Sequence, residues 1–280
     1  RKKGHEPGDT LALIVPFLIA HGITSKDILE VSENATINEG AKYLVDMLKE
    51  MNWKVVVIST SYEQHALNIA DKIGIKEVYC TGLPIESLKE EINKKSMKMI
   101  LKAEEILLSA DSVEKDIEKI DEVFTEIKRK FSSIFRKVKV IGGNRKFEVI
   151  KEISAKTGIK LYDFAVVGDS ITDVAMLGGI KKMGGVSIAF NANRYALSNA
   201  EFAVASYTLY PLLYLFHTFD LKGIDYLREN FIPPEDYKSF MREKWRYWRI
   251  DRIDIHNLHD VLEVHMKIRE EVRKSAGKLG

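Results

Sequence analysis

Continuous runs of aliphatic and β-branched residues alternate along the chain with stretches of helical periodicity. Such runs, without polar alternation, are typical of strands buried on both faces of a parallel sheet. They predict strands at residues 54–58, 78–80, 138–141, 163–167, 185–190 and 202–205. Because helical stretches separate the runs, we predict an α/β fold, a doubly wound (Rossmann-like), mostly parallel sheet joined by right-handed crossovers.

Apolar residues at steps of three and four predict helices in the remainder of the chain. Thr24 or Ser25 can cap a short helix near the start. A Lys/Glu-rich stretch keeps an apolar face from Val113 to Ile134, with Asp111 as its N-cap. The chain is predicted to be helical again after the last strand. We therefore predict four regions: an N-terminal helical segment (1–52), an α/β core (53–83 and 138–206), a helical insert (84–137) and a helical C-terminal extension (207–280).

Composition narrows the class of protein. A chain of 280 residues with 45% hydrophobic and 30% charged residues can bury a full core and is not a disordered chain. A net charge of +2 gives no general attraction to nucleic acid or to an anionic membrane. Cys80 is the single cysteine, which excludes an intramolecular disulfide. The longest charge-free apolar stretches are shorter than the roughly 20 residues of a membrane span. We therefore expect a cytoplasmic protein without a membrane span or a nucleic-acid partner.

Acidic residues follow one of the predicted strands. Gly168 allows a sharp turn after the strand at 163–167, Asp169 then lies at the strand end, and Asp173 lies four residues further on. In an open parallel sheet, ligands bind beyond the carboxyl ends of the strands. Two carboxylates at this spacing can share Mg²⁺, directly or through water. They can equally serve as a helix cap and a first-turn acid, and the spacing alone leaves both interpretations open.

Two further polar residues lie at neighbouring positions of the predicted sheet. Ser59 ends the first strand, and Lys146 begins the helix that follows residues 138–141. A lysine there can neutralise a phosphate or a carboxylate in the strand-end crevice. Taken singly, Ser59 is compatible with a helix cap and Lys146 with a surface residue.

The order of these residues resembles the haloacid dehalogenase (HAD) superfamily, in particular its phosphoserine-phosphatase-like members. Ser59 matches the second motif of that family, Lys146 the third, and Asp169 and Asp173 the fourth. The resemblance covers roughly residues 54–82 and 138–206. Residues 8–18 also resemble an archaeal subgroup, some of whose members are named energy-converting hydrogenase A subunit R.

The resemblance implies a Mg²⁺-dependent phosphomonoester hydrolase of a small phosphorylated metabolite. In the family an aspartate attacks phosphorus, and water hydrolyses the aspartyl-phosphate. By analogy with the matched motifs of the family, Asp169 and Asp173 would hold Mg²⁺, and Lys146 would offset negative charge on the nucleophile and the phosphate. The phosphate would be bound by Ser59, Thr60, Lys146 and Asn191.

The first motif of the family, an Asp-x-Asp at the end of the first strand, is not found in these 280 residues. Asp9 is a superficial candidate, but no apolar strand precedes it. We expect the missing strand to lie upstream of Arg1. The alternative is a non-catalytic member that acts as an interaction subunit, for example of a hydrogenase assembly. The N-terminal helices and the insert occupy positions where the family places caps; a surface for a protein partner or a homodimer is the alternative for the insert.

The C-terminal region contains two further patterns. Residues 237–252 mix arginines with Trp245, Tyr247 and Trp248, which would suit single-stranded nucleic acid, although an amphipathic helix is the favoured interpretation. The histidines that follow could form a metal-binding face, although surface histidines are the favoured interpretation. They are His256, His259 and His265, with Asp260 beside them.

Overall fold

The protein has an α/β fold, seen in a computed structural model that describes residues 6–112, 115–244 and 247–275. The chain divides into two compact units. The first comprises residues 1–34, 59–68 and 80–141, and the second comprises residues 35–58, 69–79 and 142–280.

Helices outnumber strands among the described residues. The helices are α1 Thr10–Ala20, α2 Ser25–Glu33, α3 Ala41–Glu50, α4 Glu63–Lys72, α5 Ile85–Lys89, α6 Lys94–Leu108, α7 Ile117–Lys130, α8 Ser132–Lys137, α9 Asn144–Thr157, α10 Val174–Met183, α11 Arg194–Leu197, α12 Leu212–Glu229, α13 Glu235–Lys244 and α14 Leu258–Ser275. The strands are β1 Val56–Tyr62, β2 Glu77–Thr81, β3 Ala165–Gly168, β4 Val186–Phe190, β5 Phe202–Ser206 and β6 Trp248–Arg252. The helix α12 is broken at Gly223, which has a φ of 77°.

The first unit is mostly helical and has its own apolar core. Side chains of α1, such as Val15 and Ile19, pack in one cluster with Ile100, Ile127 and Ile134 from the later helices. The N-terminal helices and the insert, which were predicted as separate segments, therefore share a core. The helix α3, which was predicted within the N-terminal segment, belongs to the second unit.

One of the two N-caps predicted from the sequence is present in the first unit. Thr24 caps α2 through a reciprocal pair of hydrogen bonds with Asp27, which confirms the predicted N-cap. The predicted N-cap Asp111 is wrong, because α7 begins at Ile117 after Asp116, whose carboxylate accepts the backbone N–H of Asp111. Val113, at the start of the predicted apolar face, lies outside the described residues.

Within the described part of the chain, no single helix combines the length and the apolar composition needed to cross a membrane. The helices α1 and α2 meet those criteria only when taken together, and they meet at an angle of 112°.

The second unit is built around a four-stranded sheet of order β3-β4-β5-β6. The strands β3, β4 and β5 are parallel, with Val166 beside Ser187 and Ala189 beside Ala203, and all residues of β4 and β5 are buried. The strands β1 and β2 form a separate two-stranded sheet. The sequence predicted a single sheet, whereas the structure has two: one contains β1 and β2, and the other contains β3 to β6.

Two predicted elements are wrong. Residues 248–252, predicted as part of a helix, form β6, which pairs antiparallel with β5. Trp248 and Ile250 alternate with charged residues there, which is the period of a strand; Trp245 and Arg246 lie outside the described residues. Residues 138–141, predicted as a strand, pair with no other strand among the described residues. Val138 and Val140 are instead buried in the core of the first unit.

Candidate functional site

A buried ion pair lies at the carboxyl end of the parallel strands in the second unit. Lys146 is in the first turn of α9, and Asp173 ends a short 3₁₀ turn that follows β3. Their side chains meet at 2.6 Å, between Nζ and Oδ1, and both residues are more than nine-tenths buried. A buried charge is tolerated only when it is paired, so each of these residues depends on the other.

The second oxygen of Asp173 is also engaged. Its Oδ2 accepts hydrogen bonds from the backbone N–H groups of Asp169 and Ser170, at 3.1 and 3.0 Å, and from the Ser170 hydroxyl. Burial by itself would raise the pKa of Asp173, but Lys146 and these donors outweigh it and hold that pKa below its ordinary value. Gly168 allows the close approach, because a Cβ there would lie 2.5 Å from the Asp173 Cβ.

Asp169, the other predicted Mg²⁺ ligand, is paired with an arginine that the sequence gave no reason to expect. Arg269 of α14 donates from Nη1 to Asp169 Oδ2 at 2.6 Å. The same nitrogen contacts the backbone carbonyls of Asp169 and Asn191 at 3.1 and 2.8 Å. Arg273 approaches the same carboxylate oxygen at 3.7 Å. The Asp169 side chain remains 46% exposed, and its Oδ1 accepts no hydrogen bond from the described residues.

Asn191, predicted to bind phosphate, has a different role in the structure. Its side-chain amide donates to the carbonyl of Ser206, and its side-chain oxygen accepts the N–H of Ser206. The residue is buried and has a positive φ of 43°. Both polar atoms of the side chain are thus used to join the ends of β4 and β5, and Asn191 offers only its backbone carbonyl to Arg269.

His265 of α14 is buried next to this site. Its Nδ1 accepts the backbone N–H of Ala192 at 3.0 Å, and its Nε2 has no partner among the described residues. Burial, together with the charge of Arg249, lowers the pKa of His265 to about 4. His256 and His259 are exposed, and no group of three or more metal-ligating side chains occurs in the described chain. The favoured surface interpretation therefore holds for two of the three histidines, and His265 is a core residue.

This burial predicts a pH dependence of stability. The unfolded chain protonates His265 below about pH 6.5, and the folded chain protonates it only near a pKa of about 4. Stability is therefore complete above pH 6.5 and falls by up to about 3 kcal/mol as the pH decreases through that window. We expect His265→Asn, which keeps an acceptor for Ala192, to lose less stability between about pH 7 and about pH 4.5 in urea titrations. Identical pH profiles for the two proteins would contradict the buried neutral histidine.

Ser59 and Thr60, predicted to bind phosphate, belong to the first unit. The prediction that Ser59 ends the first strand is wrong, because β1 continues to Tyr62. Ser59 Oγ accepts the backbone N–H of Ser61 at 3.1 Å, which leaves the hydroxyl proton available to another acceptor. The carbonyl of Thr60 accepts the Thr81 hydroxyl at 2.7 Å. The Thr60 hydroxyl oxygen is buried and has no partner among the described residues.

The donor set fits Mg²⁺ at one of the two predicted carboxylates. Asp169 is partly exposed and keeps one oxygen available, whereas both oxygens of Asp173 are engaged. Mg²⁺ commonly binds proteins through one or two carboxylates, with water and substrate phosphate as the remaining ligands. A direct Mg²⁺ ligand is therefore consistent with Asp169, and the role consistent with Asp173 is to hold Lys146 and the turn at Asp169.

Comparison with solved structures identifies a structural relative of the chain. No family model matches the chain, and no curated protein matches it. A solved structure of gene product AF1437 from Archaeoglobus fulgidus matches with a TM-score of 0.82 and 29% sequence identity. The match covers 100% of this chain and 84% of that chain. It supports the α/β fold over the whole length.

Proposed function

We propose that the protein is a Mg²⁺-dependent hydrolase of a small phosphomonoester. The observation that carries the proposal is the buried Lys146–Asp173 pair beside Asp169, at the carboxyl end of parallel strands. Sites at this edge of a parallel sheet bind ligands in general. A cation fixed there by a buried carboxylate suits an anionic substrate such as a phosphate.

Three residues of the second unit have distinct roles in the proposed reaction. Lys146 supplies positive charge to the phosphate, and Asp173 is a positioning residue that fixes the Lys146 ammonium group. Asp169 would hold Mg²⁺, which would stabilise negative charge on the phosphate.

The nucleophile is the remaining part. We infer that it is an aspartate from an Asp-x-Asp segment outside these 280 residues, as in the HAD superfamily. Its carboxylate would attack phosphorus and displace the alcohol, and water would then hydrolyse the acyl phosphate to return the carboxylate and inorganic phosphate. By this inference, the 280 residues alone bind phosphate without turning it over.

Phosphate release by the complete gene product tests the proposal. With Mg²⁺ and p-nitrophenyl phosphate as the first substrate, we expect Asp169→Asn to lower the rate roughly a hundredfold or more. Asp225→Asn is the matched control, because the Asp225 side chain is 90% exposed and its ion pair, with Arg228, lies far along the sequence from the candidate site. Equal rates for Asp169→Asn and Asp225→Asn would exclude the proposed role of Asp169.

One observation favours a second function, a non-catalytic binding subunit. Arg269 already neutralises Asp169 from within the chain, so the site is charge-compensated without a divalent cation. A protein of this kind would bind phosphate or a partner without releasing phosphate. Absence of phosphate release from the complete gene product, together with retained binding of inorganic phosphate, would favour this function.

A further inference from the structure

One face of the helix α14 lies at the strand-end site of the second unit. His265, Arg269 and Arg273 follow one another at intervals of four residues, so they share one side of the helix. The buried His265 accepts the backbone N–H of Ala192, which follows β4. Arg269 donates to the carbonyl of Asp169, which follows β3. These contacts hold the next turn of α14, which carries Arg273, at the edge of the same site.

Arg273 is an additional cation at this edge. Its Nη2 lies 3.7 Å from Asp169 Oδ2, an oxygen that already accepts a hydrogen bond of 2.6 Å from Arg269. The distance of 3.7 Å is longer than a hydrogen bond, and Arg273 makes no hydrogen bond to the described residues. Because its side chain is 52% exposed, the guanidinium group is open to a ligand from solvent.

The ion pairs of the site leave a positive excess. Lys146 is paired with Asp173, and these two charges cancel. The Asp169 carboxylate is shared by Arg269 and Arg273, so one of the two guanidinium charges has no counter-charge among the described ion pairs. Such an excess attracts anions, and a guanidinium group can bind a carboxylate or a phosphate through two parallel hydrogen bonds.

We propose that Arg273 binds a second anionic group of the substrate, so that the substrate is a phosphomonoester with a carboxylate or a second phosphate near the ester. The role of Arg273 rests on the proposed function, because the phosphate of the same molecule is assigned to Lys146. Both cations contact the turn at residues 169–173, Lys146 through Asp173 and Arg273 through Asp169, so a ligand that meets both is short. Arg273 lies outside residues 54–82 and 138–206, which carry the family resemblance, and none of the matched motifs includes it.

Three short esters test the proposal on the complete gene product with Mg²⁺. Ethyl phosphate has a neutral group beside the ester, phosphoglycolate has a carboxylate there, and ethylene glycol bisphosphate has a second phosphate. We expect kcat/KM to be about tenfold higher for one of the doubly anionic esters than for ethyl phosphate, which is the effect of one hydrogen bond to a charged group. The ester with the higher value identifies the second group as a carboxylate or as a phosphate.

A pair of variants separates Arg273 from other causes of this preference, such as differences in reactivity among the esters. Arg273→Gln should reduce the preference at least about fivefold, mainly through KM, because the charged partner is removed. Lys274→Gln is the matched control, since it removes the next positive charge of α14, at a side chain that is 72% exposed and paired with Glu270. A preference that is equal in the two variants would overturn the proposal, although phosphate release from all three esters would still support the hydrolase.

Calorimetric binding of the same three esters distinguishes the two proposals if no phosphate is released. The hydrolase function then fails, whereas tighter binding of a doubly anionic ester, lost in Arg273→Gln and kept in Lys274→Gln, would support the anion site by itself. Equal affinities for ethyl phosphate and both doubly anionic esters would overturn it.

Discussion

Replacing Lys146 by methionine is expected to lower the free energy of unfolding by about 3–5 kcal/mol. The substitution keeps most of the side-chain volume but leaves the Asp173 carboxylate buried without its counter-ion. The penalty comes from that uncompensated charge, since a well-packed neutral pair can be as stable as a buried ion pair. Urea unfolding at neutral pH measures the effect, provided that the slope of the transition is unchanged.

Two further variants separate this cause from a general loss of packing. Lys146→Met combined with Asp173→Asn should recover much of the lost stability, because no buried charge remains. Lys151→Met removes an exposed lysine of the same helix, paired with Glu148 at 3.1 Å, and should change stability by less than about 1 kcal/mol. A Lys146→Met variant as stable as Lys151→Met would show that the pair is not buried as described.

If Asp169 binds Mg²⁺ as proposed, replacing Arg269 by glutamine is expected to strengthen that binding about tenfold. The guanidinium group would compete with the cation for the same carboxylate, to which it donates a hydrogen bond of 2.6 Å. A hydrogen bond to a charged group contributes about 1.5–3 kcal/mol, and about 1.4 kcal/mol corresponds to a tenfold change in affinity. Calorimetric titration with MgCl₂ measures the affinity without reference to catalysis.

Arg273 provides the matched control for this experiment. It lies 3.7 Å from the same oxygen and its side chain is 52% exposed, so Arg273→Gln should change the Mg²⁺ affinity much less. Adding Asp169→Asn to Arg269→Gln should remove the gain. An affinity that is unchanged in Arg269→Gln would mean that the arginine does not compete with the cation.

Local features of the site were predictable from the sequence because their causes are local. Gly168 and Asp169 end an apolar run, and the spacing of Asp169 and Asp173 is that of a turn leading into a helix. The meeting of Lys146 with Asp173 needed the motif order as well, since a single lysine gives no sign of being buried. The sequence analysis predicted that both aspartates hold one metal ion. It could not show that both carboxylate oxygens of Asp173 already accept hydrogen bonds from Lys146 and from backbone N–H groups.

Features that depend on distant contacts were not predictable in the same way. Arg269 lies among charged residues of a helix, so its sequence surroundings suggest an exposed position, although the residue is only 9% exposed. Apolar and charged residues alternate in β6 from Trp248 to Asp251, which is the pattern of a strand. The arginines and aromatic residues around it also fit an amphipathic helix, and the sequence analysis favoured that interpretation. Residues 138–141 have the composition of a strand but pair with no strand among the described residues. Val138 and Val140 are buried instead by packing against helices of the first unit.

The contact between Asp169 and Arg269 joins residues that are 100 positions apart in the sequence. During synthesis on the ribosome, β3 and its acidic turn therefore emerge well before the arginine that neutralises them. At about 5–20 residues per second, this interval is on the order of 5–20 seconds. The Asp169 carboxylate at this turn therefore has no Arg269 partner until α14 is translated.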